Sequence, residues 1–263
     1  MMRSLIATAL VFCCGICSAE DLSENANEIK ALTAEEAAYL VATFEGEFLF
    51  LNGVTSIDKD TAQELAKVEG GLSLGLTSID KDVAQELAKF KGILHLPLTS
   101  IDKDVAKELA KSRAWVLTLS SLTSIDKDVA QELAKFKGRR LIFSGLTSID
   151  KDVAQEVAKF KGEILLLNGV TSIDKDVAQE LAKRKGGLGL NGVTLIDKEV
   201  AQKLAKLMGN LELNGLTSVD KDVAQELAKF NGWLTLNGLT SIDKDVLPIL
   251  KSNPKISFPQ KKN

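Results

Sequence analysis

Chemistry needs side chains that can hold a proton, a metal or a nucleophile, and few in this chain stand apart. The sole histidine is His95. A metal site brings three or four donors together, and no cysteine or second histidine is spaced to join it. The only cysteines, Cys13, Cys14 and Cys17, sit within or beside an N-terminal apolar run. No glycine-rich loop ends in Gly-Lys-Ser/Thr, and no Gly-x-Ser-x-Gly elbow occurs. A Ser-His-Asp arrangement would have to use His95, and nothing in the sequence singles out its serine.

Two polar sets recur. Asp58, Asp80, Asp102, Asp126, Asp150, Asp174, Asp197, Asp220 and Asp243 each open an Asp-Lys-Asp element or a close variant of it. Such a row could gather calcium, but a calcium loop needs more oxygen ligands per ion at tighter local spacing. An aspartate directly before a helical stretch is an N-cap, and that role is expected here. Asn52, Asn168, Asn191, Asn214 and Asn237 form the second set. They could make a glycan-binding ladder, but Asn-Gly marks a tight bend needing positive φ. They are expected to turn the chain and to pair backbone groups between coils. Acidic residues recur everywhere, so no pair stands out for glycoside hydrolysis. The expectation is no catalytic residue, no metal and no cofactor: a chain that is not an enzyme.

The elements that carry these residues repeat. Thr-Ser-Ile-Asp-Lys-Asp, with small changes, starts nine times between Thr55 and Thr240, at spacings of 22 to 24 residues. Each unit has two halves. Leu-x-Leu, as in Leu211-Glu212-Leu213, alternates with the period of a strand. After the bend comes a helix: Asp80 at its N-cap, Asp82 in the first turn, and Val83, Ala84, Leu87 and Phe90 at inward helical spacing. Lys81, Gln85, Glu86, Lys89 and Lys91 fall on the outer face, and Gly92 is read as the helix stop. One such unit cannot bury its own apolar face, so the units must stack. The pattern predicts an α/β solenoid, a right-handed coil with parallel strands on one face and helices on the other.

The ends differ. Met1, Met2 and Arg3, an apolar run from Leu5 to Ile16, and Cys17-Ser18-Ala19 make a secretory signal pattern cleaved after Ala19. The mature chain then has no cysteine and is expected outside the cell, in the periplasm or on the cell surface, with no membrane span. Residues 20–31 read as a flexible leader and 32–258 as a single repeat domain with degenerate caps, its nine repeats covering about 47–250. Thr33 and Glu36 have capping-box spacing, Lys255 to Phe258 could add a last strand, and 259–263 is a tail. Net charge is −3 with both signs intermixed. No basic block announces a nucleic-acid binder.

The helical halves are nearly constant and the strand halves vary. Alternation places two rows outward. One reads Phe50, Ser73, His95, Thr118, Ile142, Leu166, Gly189, Glu212, Thr235; the other reads Phe48, Gly71, Ile93, Val116, Arg140, Ile164, Gly187, Asn210, Trp233. Contiguous exposed apolar residues mark interaction sites. Val116, Ile142, Ile164 and Leu166 are therefore candidate partner-binding residues at mid-array, with Phe48, Phe50 and Trp233 at the ends. The competing reading is that β-branched and aromatic residues suit strands for their own sake.

This unit, Leu-x-Leu, a bend and a convex helix at a period of 22 to 24 residues, resembles the leucine-rich repeats of bacterial proteins with nearly identical tandem units. Val170-Thr171-Ser172-Ile173 is similar to the surface-protein repeats of the BspA-like class. The unit departs from both: Leu216 stands where the family's asparagine follows Leu213, and the helix after the isoleucine is longer than in BspA-like repeats. The resemblance implies an exported interaction module that binds a protein, peptide or cell-wall glycan. The alternative is a structural or self-assembling envelope component.

Overall fold

The computed structural model describes residues 28–259. The segment read as a signal peptide, its expected cleavage point, most of the expected leader and the end of the tail lie outside the described residues. Helix α1 (Ala34–Thr43) comes first, and Thr33 caps it as the spacing predicts. The Thr33 backbone N–H donates to the Glu36 carboxylate at 2.8 Å, and the Glu36 N–H donates back to Thr33 Oγ1 at 3.3 Å. Strand β1 (Phe48–Leu51) then leads to α2 (Lys59–Leu65), and β2 (Gly71–Leu74) to α3 (Lys81–Leu87). The alternation continues to β9 (Leu234–Thr235), α10 (Leu247–Lys251) and a last strand β10 (Ile256–Ser257). All ten strands are parallel and hydrogen-bonded in sequence order, so the chain is a leucine-rich-repeat-like α/β solenoid.

Parallel strands on consecutive coils put like residues beside like. Leu72 pairs with Leu94 of β3 (Ile93–Leu96), and Leu94 with Leu117 of β4 (Val116–Leu119). The same ladder continues to Leu234, and every member is fully or almost fully buried. Behind it lie Ala84, Leu87 and Phe90 with the apolar equivalents from other coils, which form one continuous core. The helices between α1 and α10 are seven residues long, about two turns, too short to hold by themselves. Burial of this face is what keeps them helical.

The aspartates are N-caps. Asp58 accepts from the Thr61 N–H, and Asp80 from the Val83 N–H, at 2.8 Å each, and the pattern recurs along the array. The next aspartate joins a different row. Lys103 reaches Asp128 of the next coil at 3.1 Å, and Lys127 reaches Asp152 at 3.3 Å. These pairs are exposed and contribute little individually.

Three local expectations need correction. Gly92 does not stop its helix: α3 ends at Leu87 with Ala88 as its cap, and Gly92 has no positive φ. It is glycine because a Cβ there would lie 1.5 Å from the carbonyl oxygen of Gly70. Likewise the Asn-Gly bends need no positive φ, since Gly70 alone has one among the described residues. At Gly192, Gly215 and Gly238 a Cβ would come within 2.3 Å of an asparagine carbonyl of the preceding coil. Close stacking, not turn chirality, selects these glycines. Third, Glu86 is not on the outer face. It and Glu108, Glu132, Glu156, Glu180 and Glu226 are buried, because adjacent helices close over them. Each is paired with the lysine three residues on, as Glu108 is with Lys111 at 2.7 Å.

Candidate interaction surface

The outward strand rows form the sheet's open face. Ile142 of β5 (Arg140–Ile142) stands beside Leu166 of β6 (Ile164–Leu166), and Arg140 beside Ile164. Val116 lies on the other side of Arg140. The four mid-array candidates therefore gather around one arginine. All four are half-buried rather than fully exposed. For Leu166 the cause is lateral packing onto a smaller neighbour: it covers Gly189 of β7 (Gly187–Gly189), where a Cβ would meet Leu166 Cδ2 at 2.5 Å. At the N-terminal end Phe48 lies over Gly71 in the same way and stacks on Phe50, ring centroids 4.5 Å apart. Phe50 and Trp233 are exposed, and they are eight coil spacings apart, from the first strand to the ninth, so they do not join the central group.

His95 has partners on both sides. Its Nδ1 is 2.8 Å from Ser73 Oγ and its Nε2 is 2.8 Å from Ser120 Oγ. Ser73 donates to Asn52 Oδ1 at 2.6 Å. With its proton committed there, Ser73 Oγ accepts from His95 Nδ1–H, and Nε2 accepts from the Ser120 hydroxyl. Four consecutive coils are thus joined by one polar track across the sheet face. Both ring nitrogens are occupied, and burial lowers the His95 pKa, so the ring is neutral at pH 7. The serines that could not be picked out in the sequence become neighbours only through coil stacking. No group of three or more His, Cys, Asp or Glu side chains able to hold a metal occurs among the described residues.

The asparagines form a ladder of backbone contacts. Asn168 Oδ1 accepts from the Asn191 N–H, Asn191 Oδ1 from the Asn214 N–H, and Asn214 Oδ1 from the Asn237 N–H, at 3.3, 3.0 and 2.9 Å. Each side-chain oxygen is spent on the next coil, as the structural reading expects.

Two features escaped the sequence reading. Arg184 occupies the core position filled by Phe90, Phe136, Phe160 and Phe230 in other coils and is buried. It donates to the carbonyls of Phe160, Gly162 and Gly187, and its guanidinium lies 5.0 Å from the Phe160 ring centroid. Burial brings its pKa down to about 10, still well above neutrality. The second is exposed Trp115, beside Arg113 in the turn before β4. The Arg139 and Arg140 N–H groups both donate to the Trp115 carbonyl, at 2.7 and 3.0 Å.

No protein-family profile matches this chain, and no curated protein matches it by sequence. Among solved structures it is similar to an internalin of Listeria monocytogenes, with 17% identity, TM-score 0.39, and coverage of 93% of this chain and 94% of that one. An internalin C2 of the same organism matches at 17% identity and TM-score 0.39, covering 90% and 92%. The Drosophila Toll–Spatzle complex matches at 9% identity and TM-score 0.46, where the chain spans 80% of its own length but 35% of the matched chain.

Proposed function

We propose that this is an exported, non-enzymatic interaction module that binds a protein partner through its strand face. The observation that carries this reading is the band of Val116, Ile164, Ile142 and Leu166 around Arg140, laid on a rigid parallel sheet. Apolar side chains around an arginine on a preformed surface are the composition of an interface centre. The polar track through His95 borders this band by way of Ser120, on the coil that contributes Val116. It would supply directional contacts at the rim. Export is proposed from the signal pattern at the N-terminus.

The test is a pull-down from the source cell's envelope and medium, with the chain from Glu20 as bait beside an Ile142→Glu/Leu166→Glu variant of native circular dichroism. A partner captured by wild type and lost with the variant supports the strand face. Capture that survives the substitutions removes that face as the site.

A further inference from the structure

The strands begin along one edge of the solenoid, at the turns that leave each helix, and this edge collects residues that the sequence scatters. Both tryptophans of the chain lie there. Trp115 and Trp233 are 55% and 61% exposed, and Met208, one coil before Trp233, is 66% exposed. Three open grooves, of about 550, 600 and 460 Å³, run between successive turns of the same edge. Two of them have a phenylalanine in the wall, Phe136 or Phe160, and lysines at the rim. The third is bordered by Asn210 and Asn231.

Charge is unevenly spent on this edge. Lys135, Lys159 and Lys183 are neutralised by the buried glutamates of their own helices, and Arg139 by Glu163 at 2.8 Å. Arg113, Lys137, Arg140, Lys161 and Lys185 are in no ion pair among the described residues, although Glu163 lies close enough to feel Arg140. Five cations thus remain over four consecutive turns. The opposite edge, with its Asp-Lys-Asp elements, is net acidic, so the near-neutral total charge hides a basic strip. Three of the chain's five arginines, Arg113, Arg139 and Arg140, border Trp115. They mark the place where two otherwise uniform units depart most from the repeat.

We propose that this edge, which meets the strand face at Arg140 and Trp233, is a second binding site, for an extended anionic polysaccharide carrying carboxylates. From Trp115 to Trp233 the strip crosses five coil spacings, roughly 24 Å at the ~4.8 Å separation of neighbouring strands. A linear polymer fits that shape. An exposed indole offers a flat apolar surface to the C–H face of a sugar ring, asparagines give amide contacts to hydroxyls, and the unpaired cations meet the carboxylates. Single-stranded nucleic acid fits less well, because it stacks successive bases on successive aromatics, and here the exposed aromatic side chains are at the two ends.

The experiment uses the chain from Glu20 and reads its tryptophan emission, which reports on this edge because both tryptophans are on it. Polygalacturonate is titrated at low salt, with dextran and a single-stranded oligonucleotide as comparisons. The expected result is saturable binding of polygalacturonate that weakens as salt is raised, with no response to dextran. Arg113→Ser/Lys137→Ser and Trp115→Ala should each weaken it by roughly tenfold or more, the scale of a charged or tryptophan anchor. These side chains are exposed, and native circular dichroism of each variant is the condition for comparing it. Ile142→Glu should leave polysaccharide binding intact, which separates this site from the strand face. Absence of polygalacturonate binding, binding that ignores the edge substitutions, or equal binding of the oligonucleotide would overturn the proposal.

Discussion

The Arg184 guanidinium sits 5.0 Å from the Phe160 ring centroid, in the place a phenylalanine holds elsewhere in the array. Among the described residues it has no carboxylate partner. Three backbone carbonyls and one aromatic face do the work of a counter-ion. Arg184→Ala should lose about 3 kcal/mol of stability in urea unfolding, since it removes three charge-assisted hydrogen bonds and leaves a cavity. Arg184→Phe restores the side chain that the preceding coil uses, Phe160, and should cost under about 1 kcal/mol. Equal losses for both would show that the guanidinium is indispensable to this coil.

His95 predicts a pH dependence. Its folded pKa is lowered by burial from the ordinary value of 6.5. The unfolded chain therefore binds a proton more readily than the folded one. The stabilisation is fully present above the unfolded value and is lost as pH falls through the lower folded value. Urea midpoints measured between pH 8 and 5 should fall for wild type more than for His95→Gln. Parallel curves would mean that the ring is not held neutral in the folded state.

Close approach of coils makes glycine substitutions sharply position-dependent. Gly92→Ala places its Cβ 1.5 Å from the Gly70 carbonyl oxygen, and backbone cannot move aside cheaply. A loss of about 3 kcal/mol or more is expected. Gly187→Ala meets only ordinary contacts at 3.5 Å and should be neutral, or stabilising by about 0.5 kcal/mol through its effect on the unfolded chain. Thermal unfolding of the two variants side by side checks this.

The aspartate caps should behave alike wherever the coil is regular. Asp126→Ala removes the acceptor for the Val129 N–H and should cost about 1 kcal/mol, while Asp126→Asn retains most of it. Asp58 adds an acid limb. Its hydrogen bonds to Thr61 hold its pKa below the ordinary 3.8, so its contribution is present above that value and lost as pH falls through the lower folded one. Acid unfolding of Asp58→Asn should be the less steep of the two curves.

Most of the architecture was legible before any coordinates. The Asp80 cap acts over three residues, the Leu-x-Leu alternation over two, and the inward Val83, Ala84 and Leu87 over one helical turn. Local backbone geometry determines such features, and nine repetitions of one unit leave stacking as the only way to bury its face. The apolar strand-face row could also be named, because alternation assigns sides. What the sequence could not supply depends on the neighbouring coil, some 22 to 24 residues away. Gly92 was misread as a helix stop because the Gly70 carbonyl that excludes its Cβ comes from the previous turn. Glu86 was misread as exposed because an adjacent helix covers it. Ser73 and Ser120 meet His95, and Arg139 and Arg140 meet Trp115, only when separate coils are brought to strand spacing. The sequence by itself determined the repeating unit and therefore the solenoid. The tertiary structure decided which side chains become neighbours across coils, because lateral contacts between stacked turns are non-local and leave no periodic trace within any one of them.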